Sequence, residues 1–134
     1  MSRTRTPVYG DVPDDVLRRL RAIAAALPET YEEQAWTGRR WMIRRRNFAH
    51  VFTIENEAGS TTIVMFRSSG FELDALAAAG HPFFRAGWGT NGIGMVLDDT
   101  TDWEEVRELL TESFCLLAPK KIAALVERPG DDGA

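Results

Sequence analysis

Five arginines grouped around a predicted β-hairpin are the residues whose type and spacing point most directly to a chemical role. They are Arg39, Arg40, Arg44, Arg45 and Arg46. Arginine forms paired hydrogen bonds to phosphate oxygens, and a hairpin turn carries its side chains away from the sheet. The cluster therefore predicts a surface that contacts the phosphates of a nucleic acid, with binding that weakens steeply as salt rises.

The same arginines have a simpler interpretation as a solvated strand edge. Basic side chains on an edge keep sheets from pairing with one another, and acidic helix residues can neutralise them. Runs of charge are more often solvated than functional, so this alternative carries the greater weight. Lys120 and Lys121 extend the basic surface only if the last helices end near the hairpin, which the sequence leaves open.

A glycine- and aromatic-rich stretch over residues 81–92 contains the second candidate site, the loop from Phe83 to Gly92. Trp88 lies between Gly87 and Gly89, so its ring can offer a stacking surface, with Asn91 and Phe84 nearby. This stretch supports the alternative function, a protein- or small-molecule-binding module. The simpler interpretation is that Trp88 closes the end of the sheet while the glycines let the backbone turn around it.

Two further tryptophans, Trp36 and Trp41, are expected in the core, because large aromatic side chains more often serve cores than ligand sites. His50 shares its register with two phenylalanines, which predicts a core histidine whose ring nitrogens form hydrogen bonds within the protein. Cys115 follows Phe114 in the last long helix and is predicted to be a core thiol.

Residues suited to metal binding or catalysis are sparse. His50, His81 and Cys115 do not lie at metal-ligand spacings, and the acidic residues between 98 and 108 are explained as cap and dipole residues of a helix. The sequence contains neither a phosphate-binding glycine loop ahead of a helix nor a serine elbow. We expect no metal, no cofactor and no enzymatic activity.

The composition describes a small globular protein with an uneven charge. Its 134 residues are enough for one domain, and the net charge is −4. Residues 1–46 contain 10 Lys+Arg and 6 Asp+Glu, whereas residues 47–134 contain 6 and 14. A wholly basic nucleic-acid binder is thus excluded, but a basic patch is not. A lone cysteine, no membrane-length apolar run and no secretory signal predict a cytoplasmic monomer without a membrane partner.

The order of elements predicts an α+β fold. An amphipathic helix is expected from Pro13 to Leu27, with its apolar face on a sheet. Strands are expected at 29–36, 40–44, 48–55, 61–67 and 93–97, and helices at 69–79, 102–117 and 120–126. Ser69 with Glu72 and Asp102 with Glu105 have the spacing of helix N-terminal capping boxes. Alternating Phe48, His50, Phe52 and Ile54 predict one buried strand face. A single domain over residues 11–127 is expected, with a flexible arm at 1–10 and a frayed tail at 128–134.

The order of several short motifs over about residues 13–126 resembles the MmcQ/YjbR family of small bacterial proteins. The motifs are Trp36-Thr37-Gly38, Trp41, Phe48-Ala49, His81-Pro82-Phe83-Phe84, Trp88-Gly89, Gly92 and Leu116 to Lys121. The resemblance implies a fold similar to the frataxin (CyaY) sandwich, with the N- and C-terminal helices on one face of an antiparallel sheet. It also implies DNA binding, a role that rests on fold analogy. Many relatives have glycine in the turn that reads Arg45-Arg46 here, so the geometry of this turn is not carried over.

Overall fold

The computed structural model describes residues 8–126, and within them the chain has the predicted α+β class. The elements follow in chain order: β1 (Val8–Gly10), α1 (Asp14–Ala25), β2 (Thr30–Gln34), β3 (Arg39–Ile43), β4 (Arg46–Asn56), β5 (Gly59–Arg67), α2 (Gly70–Ala79), β6 (Phe83–Arg85), β7 (Gly92–Leu97), α3 (Trp103–Leu117) and α4 (Lys120–Ala123). In this part of the chain no helix combines the length and the apolar character needed to cross a membrane.

The seven strands form one antiparallel sheet, in which six follow the order β2-β3-β4-β5-β7-β6 and β1 pairs with β4. Strand β4 is the longest, and its first half pairs with β3 whereas residues 53–55 pair with β1. The meander from β3 to β5 therefore forms the centre of the sheet.

Helices α1 and α3 pack against one face of the sheet, which we call the helix face. Its buried side chains include Val51, Val64, Phe66 and Met95, and those of the helices include Leu20, Val106, Leu110 and Phe114. Burial of this apolar area is the main source of stability, at roughly 25 cal/mol per Å². The prediction that the terminal helices lie on one face is confirmed.

The prediction that Phe48, His50, Phe52 and Ile54 share the buried face of β4 is wrong beyond Phe48. The pairing with β3 shifts by one residue between Trp41 and Met42, so Phe48 is the extra residue of a β-bulge. Phe48 and Ala49 are consequently both in the core, and alternation from Ala49 onwards puts Val51 on the helix face. His50, Phe52 and Ile54 take the opposite face.

The two tryptophans expected in the core have different environments. Trp41 is buried on β3, as predicted. Trp36 is 77% exposed, so its prediction is wrong. Its ring meets Tyr9 edge-on at 4.9 Å between centroids. Tyr9 in turn contacts Phe52, and Phe52 contacts His50, so Trp36 lies at the outer end of a row of rings on the face opposite the helices.

Three further expectations about elements need correction. Val8–Gly10 is a strand and not part of a loose arm, while residues 1–7 and the predicted tail at 128–134 lie outside the described residues. The stretch 81–92 contains the short strand β6, which the sequence did not reveal.

Ser69 precedes α2 as predicted but makes no side-chain cap hydrogen bond. The other predicted cap is confirmed, because the Asp102 carboxylate accepts from the backbone N–H groups of Glu104 and Glu105.

Candidate nucleic-acid interface

The basic turn between β3 and β4 consists of Arg44 and Arg45, because Ile43 and Arg46 already pair with each other. The sequence had placed this turn further along the chain. Arg44 has a φ of +57°, in the left-handed region that favours glycine. Its carbonyl oxygen accepts a hydrogen bond of 2.6 Å from the Tyr31 hydroxyl on β2. The turn is therefore held by the neighbouring strand.

Acidic residues in β2 neutralise much of the arginine cluster. Glu32 accepts from Arg39 Nε at 2.7 Å and from two nitrogens of Arg21, on α1, at 2.9 Å each. Glu33 accepts from Arg40 Nε at 2.6 Å. The hydrogen bond from Arg21 is the main cause that lowers the pKa of the Glu32 carboxyl. The sequence anticipated neutralisation by helix residues, whereas the acids come from a strand.

The turn itself keeps more of its positive charge. Arg44 forms one exposed ion pair, 3.4 Å from Glu29. Within residues 8–126, Arg45 and Arg46 form no ion pair, and both are exposed. Their guanidinium groups are thus the ones available to an anionic ligand.

Other basic residues reach the same end of the sheet, which we call the hairpin end. Arg67 is the last residue of β5 and Arg85 the last of β6. Ala49 of β4 pairs with Phe66, Phe66 pairs with Ile93, and Ile93 pairs with Arg85, so both arginines lie level with the start of β4. Helix α3 also ends there, since Ser113 Oγ donates to the Phe48 carbonyl oxygen at 2.7 Å. The chain therefore enters α4, with the exposed Lys120 and Lys121, at the hairpin end.

The loop around Trp88 lies at the hairpin end as well. Arg67 stacks on the indole ring at 4.1 Å, and its Nη1 donates to the Trp88 carbonyl at 2.8 Å and to Asn91 Oδ1 at 2.9 Å. Arg85 Nη2 donates to the Thr90 carbonyl at 2.9 Å. The structure thus brings the two sequence-predicted sites, hairpin and loop, to one end of the sheet.

The side chains proposed to contact a small ligand at this loop already make contacts inside the protein. One ring face of Trp88 is covered by Arg67, and the Asn91 amide oxygen is engaged by the same side chain. Phe84 packs over Gly94, where a Cβ would come within 2.2 Å of its ring. These contacts favour a structural role for the loop.

The remaining candidates for chemistry occupy core-like positions. His50 is buried, and its Nε2 lies 2.8 Å from the Thr37 carbonyl oxygen. Burial is the main cause that lowers the pKa of its imidazole. Cys115 is a buried free thiol, as expected. Residues 8–126 contain no group of three or more His, Cys, Asp or Glu arranged to hold a metal ion.

Arg67 and Ser113 are among the residues of the hairpin end that sequence reasoning missed. The Arg67 side chain donates to residues 21 and 24 positions further along the chain. Ser113 Oγ accepts from the Arg67 backbone N–H at 2.8 Å and donates to the Phe48 carbonyl oxygen. Neither residue belongs to a motif or to an apolar pattern. Only the paired strands and the position of α3 bring them together, so no local signal could have identified them.

An antiparallel sheet covered on one face by its first and last long helices defines the class of this domain. The family model described as YjbR matches residues 25–116, and the chain belongs to that family. The match includes the whole arginine hairpin and the Trp88 loop, but not Lys120 and Lys121. No curated protein and no solved structure matches the chain. The likeness to the frataxin sandwich therefore stays a prediction.

Proposed function

We propose that this YjbR-family protein binds nucleic acid through the hairpin end, as a binding module and not as an enzyme. The observation that carries the proposal is the contrast within the arginine cluster. Arg39 and Arg40 are engaged by Glu32 and Glu33, whereas Arg45 and Arg46 are exposed at the tip of the hairpin. Phosphate contacts need guanidinium groups without competing carboxylates, and this hairpin supplies them.

The surroundings of the turn support the same function. Lys120 and Lys121 follow the end of α3, and Arg67 and Arg85 end neighbouring strands at the hairpin end. These cations would contact the backbone of a duplex without reading its bases, which makes the binding insensitive to sequence. The net charge of −4 opposes long-range attraction, so we expect micromolar affinity at low salt and much weaker binding at physiological salt. A cytoplasmic location, inferred from the single cysteine, accompanies this proposal.

Fluorescence anisotropy of a labelled DNA duplex, titrated with protein over a series of salt concentrations, tests the proposal. The test variant is Arg45→Ala/Arg46→Ala. We expect it to weaken binding at least tenfold at low salt. The slope of log K against log salt should also fall by about 1 for each phosphate group that the variant no longer binds.

The matched control is Arg18→Ala/Arg40→Ala, which removes the same formal charge from α1 and from the Glu33 ion pair. We expect this control to change the affinity much less. Equal weakening by the two double variants would show that binding depends on net charge alone. Absence of binding by the wild-type protein at low salt would exclude DNA as the ligand.

A further inference from the structure

Helix α2 is exposed although its composition is that of a buried helix. Glu72 and Asp74 are its only charged residues, and none of its side chains is fully buried. Phe71 is 94% exposed, and Ala75 and Ala78 share its side of the helix. Leu73, Leu76 and Ala77 pack on the core from the other side. A helix that is apolar all round is normally covered on most sides, so the outer side of α2 lacks a cover.

A groove of about 390 Å³ separates α2 from α3. Two leucines, Leu76 and Leu109, give it apolar lining. Its other lining residues are all acidic: Glu72, Glu105, Glu108 and Glu112. We call it the acidic groove.

Acidic residues outnumber basic ones in the two helices that line the groove. Arg107 is the one basic residue in α2 and α3, and one of its partners is Glu104, which does not line the acidic groove. Burial raises the pKa of the Glu105 carboxyl, and the charges of Asp102 and Glu108 raise it further. A cation brought to the groove would lower the free energy of these ionised carboxylates.

We propose that the acidic groove docks a basic amphipathic helix of another protein. Charge complementarity selects this occupant: the glutamates of the groove suit lysine or arginine at successive turns, while Leu76 and Leu109 suit the apolar stripe between them. Phe71, exposed next to Glu72 at the start of α2, extends the apolar surface beyond the groove. Two adjacent helices form the ridges and groove into which a third helix packs. The groove repels phosphate, so its function goes beyond nucleic-acid binding.

The probe is a fluorescein-labelled synthetic peptide in which lysine and leucine repeat with helical period. Its control is a scrambled peptide of the same composition and charge. We expect saturable binding of the amphipathic peptide, at least tenfold tighter than that of the scrambled one, since only the former presents an apolar stripe. Methyl NMR shifts at Leu76 and Leu109 on titration would locate the peptide. Equal affinity of the two peptides would overturn the proposal.

Two variants test the contacts separately. Glu105→Gln/Glu108→Gln and Phe71→Ala should each weaken peptide binding about tenfold. The charge-matched control, Asp99→Asn/Glu104→Gln, lies outside the groove and should change it less than twofold. Equal weakening by this control would mean unspecific charge attraction and would overturn the proposal.

Sedimentation of the protein alone provides a further check. Self-association abolished by Phe71→Ala would make a second copy the occupant and would also overturn the proposal. Duplex binding by Glu105→Gln/Glu108→Gln should be no weaker than that of the wild type, so failure of peptide docking stays distinguishable from failure of nucleic-acid binding.

Discussion

The guanidinium carbon of Arg67 lies 4.1 Å from the centre of the Trp88 ring. This contact joins the end of β5 to the loop before β7 and keeps a cation at the hairpin end. Arg67 has no carboxylate partner within residues 8–126, and burial lowers the pKa of its guanidinium. Its buried Nε lacks a hydrogen-bond partner. The loop carbonyls therefore compensate only part of the cost of burying this charge.

Replacing Arg67 should cost more stability than replacing Arg85, although both side chains donate to the same loop. Arg67→Met removes hydrogen bonds to Trp88 and Asn91 and leaves those acceptors without a donor, so we expect a loss of about 1–3 kcal/mol. Arg85 is exposed, and Arg85→Met should cost less than about 0.5 kcal/mol. Urea unfolding followed by tryptophan fluorescence measures both. Similar midpoints for the two variants would show that the stacked arginine adds no net stability.

The left-handed conformation of Arg44 predicts unequal effects of glycine at the two turn positions. Arg44→Gly relieves a backbone strain that Arg45 does not carry, because Arg45 has no positive φ. The variant loses only an exposed ion pair with Glu29, worth at most about 1 kcal/mol. We therefore expect Arg44→Gly to be more stable than Arg45→Gly by about 1 kcal/mol.

Thermal and urea unfolding of the two glycine variants provide the comparison. Both lose one positive charge and gain the same flexibility in the unfolded chain, so their difference isolates the conformation of the turn. Equal stabilities would mean that Arg44 holds its φ without cost.

The buried histidine predicts a loss of stability on mild acidification. Burial is the first cause that lowers the pKa of His50, the Arg40 charge adds to it, and the contact with Thr37 opposes it. A lowered pKa in the folded state means that the unfolded chain takes up a proton first. The stability contributed by neutral His50 is thus fully present above its ordinary pKa of 6.5 and is lost as the pH falls towards the lower folded value.

Urea unfolding between pH 7.5 and pH 5 checks this dependence. His50→Gln should lower the stability at pH 7.5 but abolish the part of the pH slope below 6.5 that His50 causes. The same slope in both proteins would assign the dependence to other groups.

Local signals predicted the elements, whereas the sites depended on partners that are distant in sequence. The cap at Asp102 involves only the first turn of α3, and apolar residues recur along this helix every three to four positions, so both patterns could be recognised directly. The bulge at Phe48 reversed the faces of β4 because a one-residue shift changes every later side chain. The neutralised state of Arg39 and Arg40 could not be seen before β2 was paired with β3. Membership of the family needed only the order of motifs and was confirmed.

Two serines show the same contrast in a form that can be measured. Ser69 has the spacing of a capping box but makes no cap hydrogen bond, whereas Ser113, which no motif marks, is fully buried and contacts two strands. Its Oγ donates to the Phe48 carbonyl and accepts from the Arg67 N–H.

Ser113→Ala leaves both backbone groups without this partner, so we expect the free energy of unfolding to fall by about 1–3 kcal/mol. Ser69→Ala should change stability by less than about 0.5 kcal/mol. Urea unfolding ranks the two alanine variants, and a larger loss for Ser69→Ala would contradict the assignment of the structural hydrogen bonds to α3.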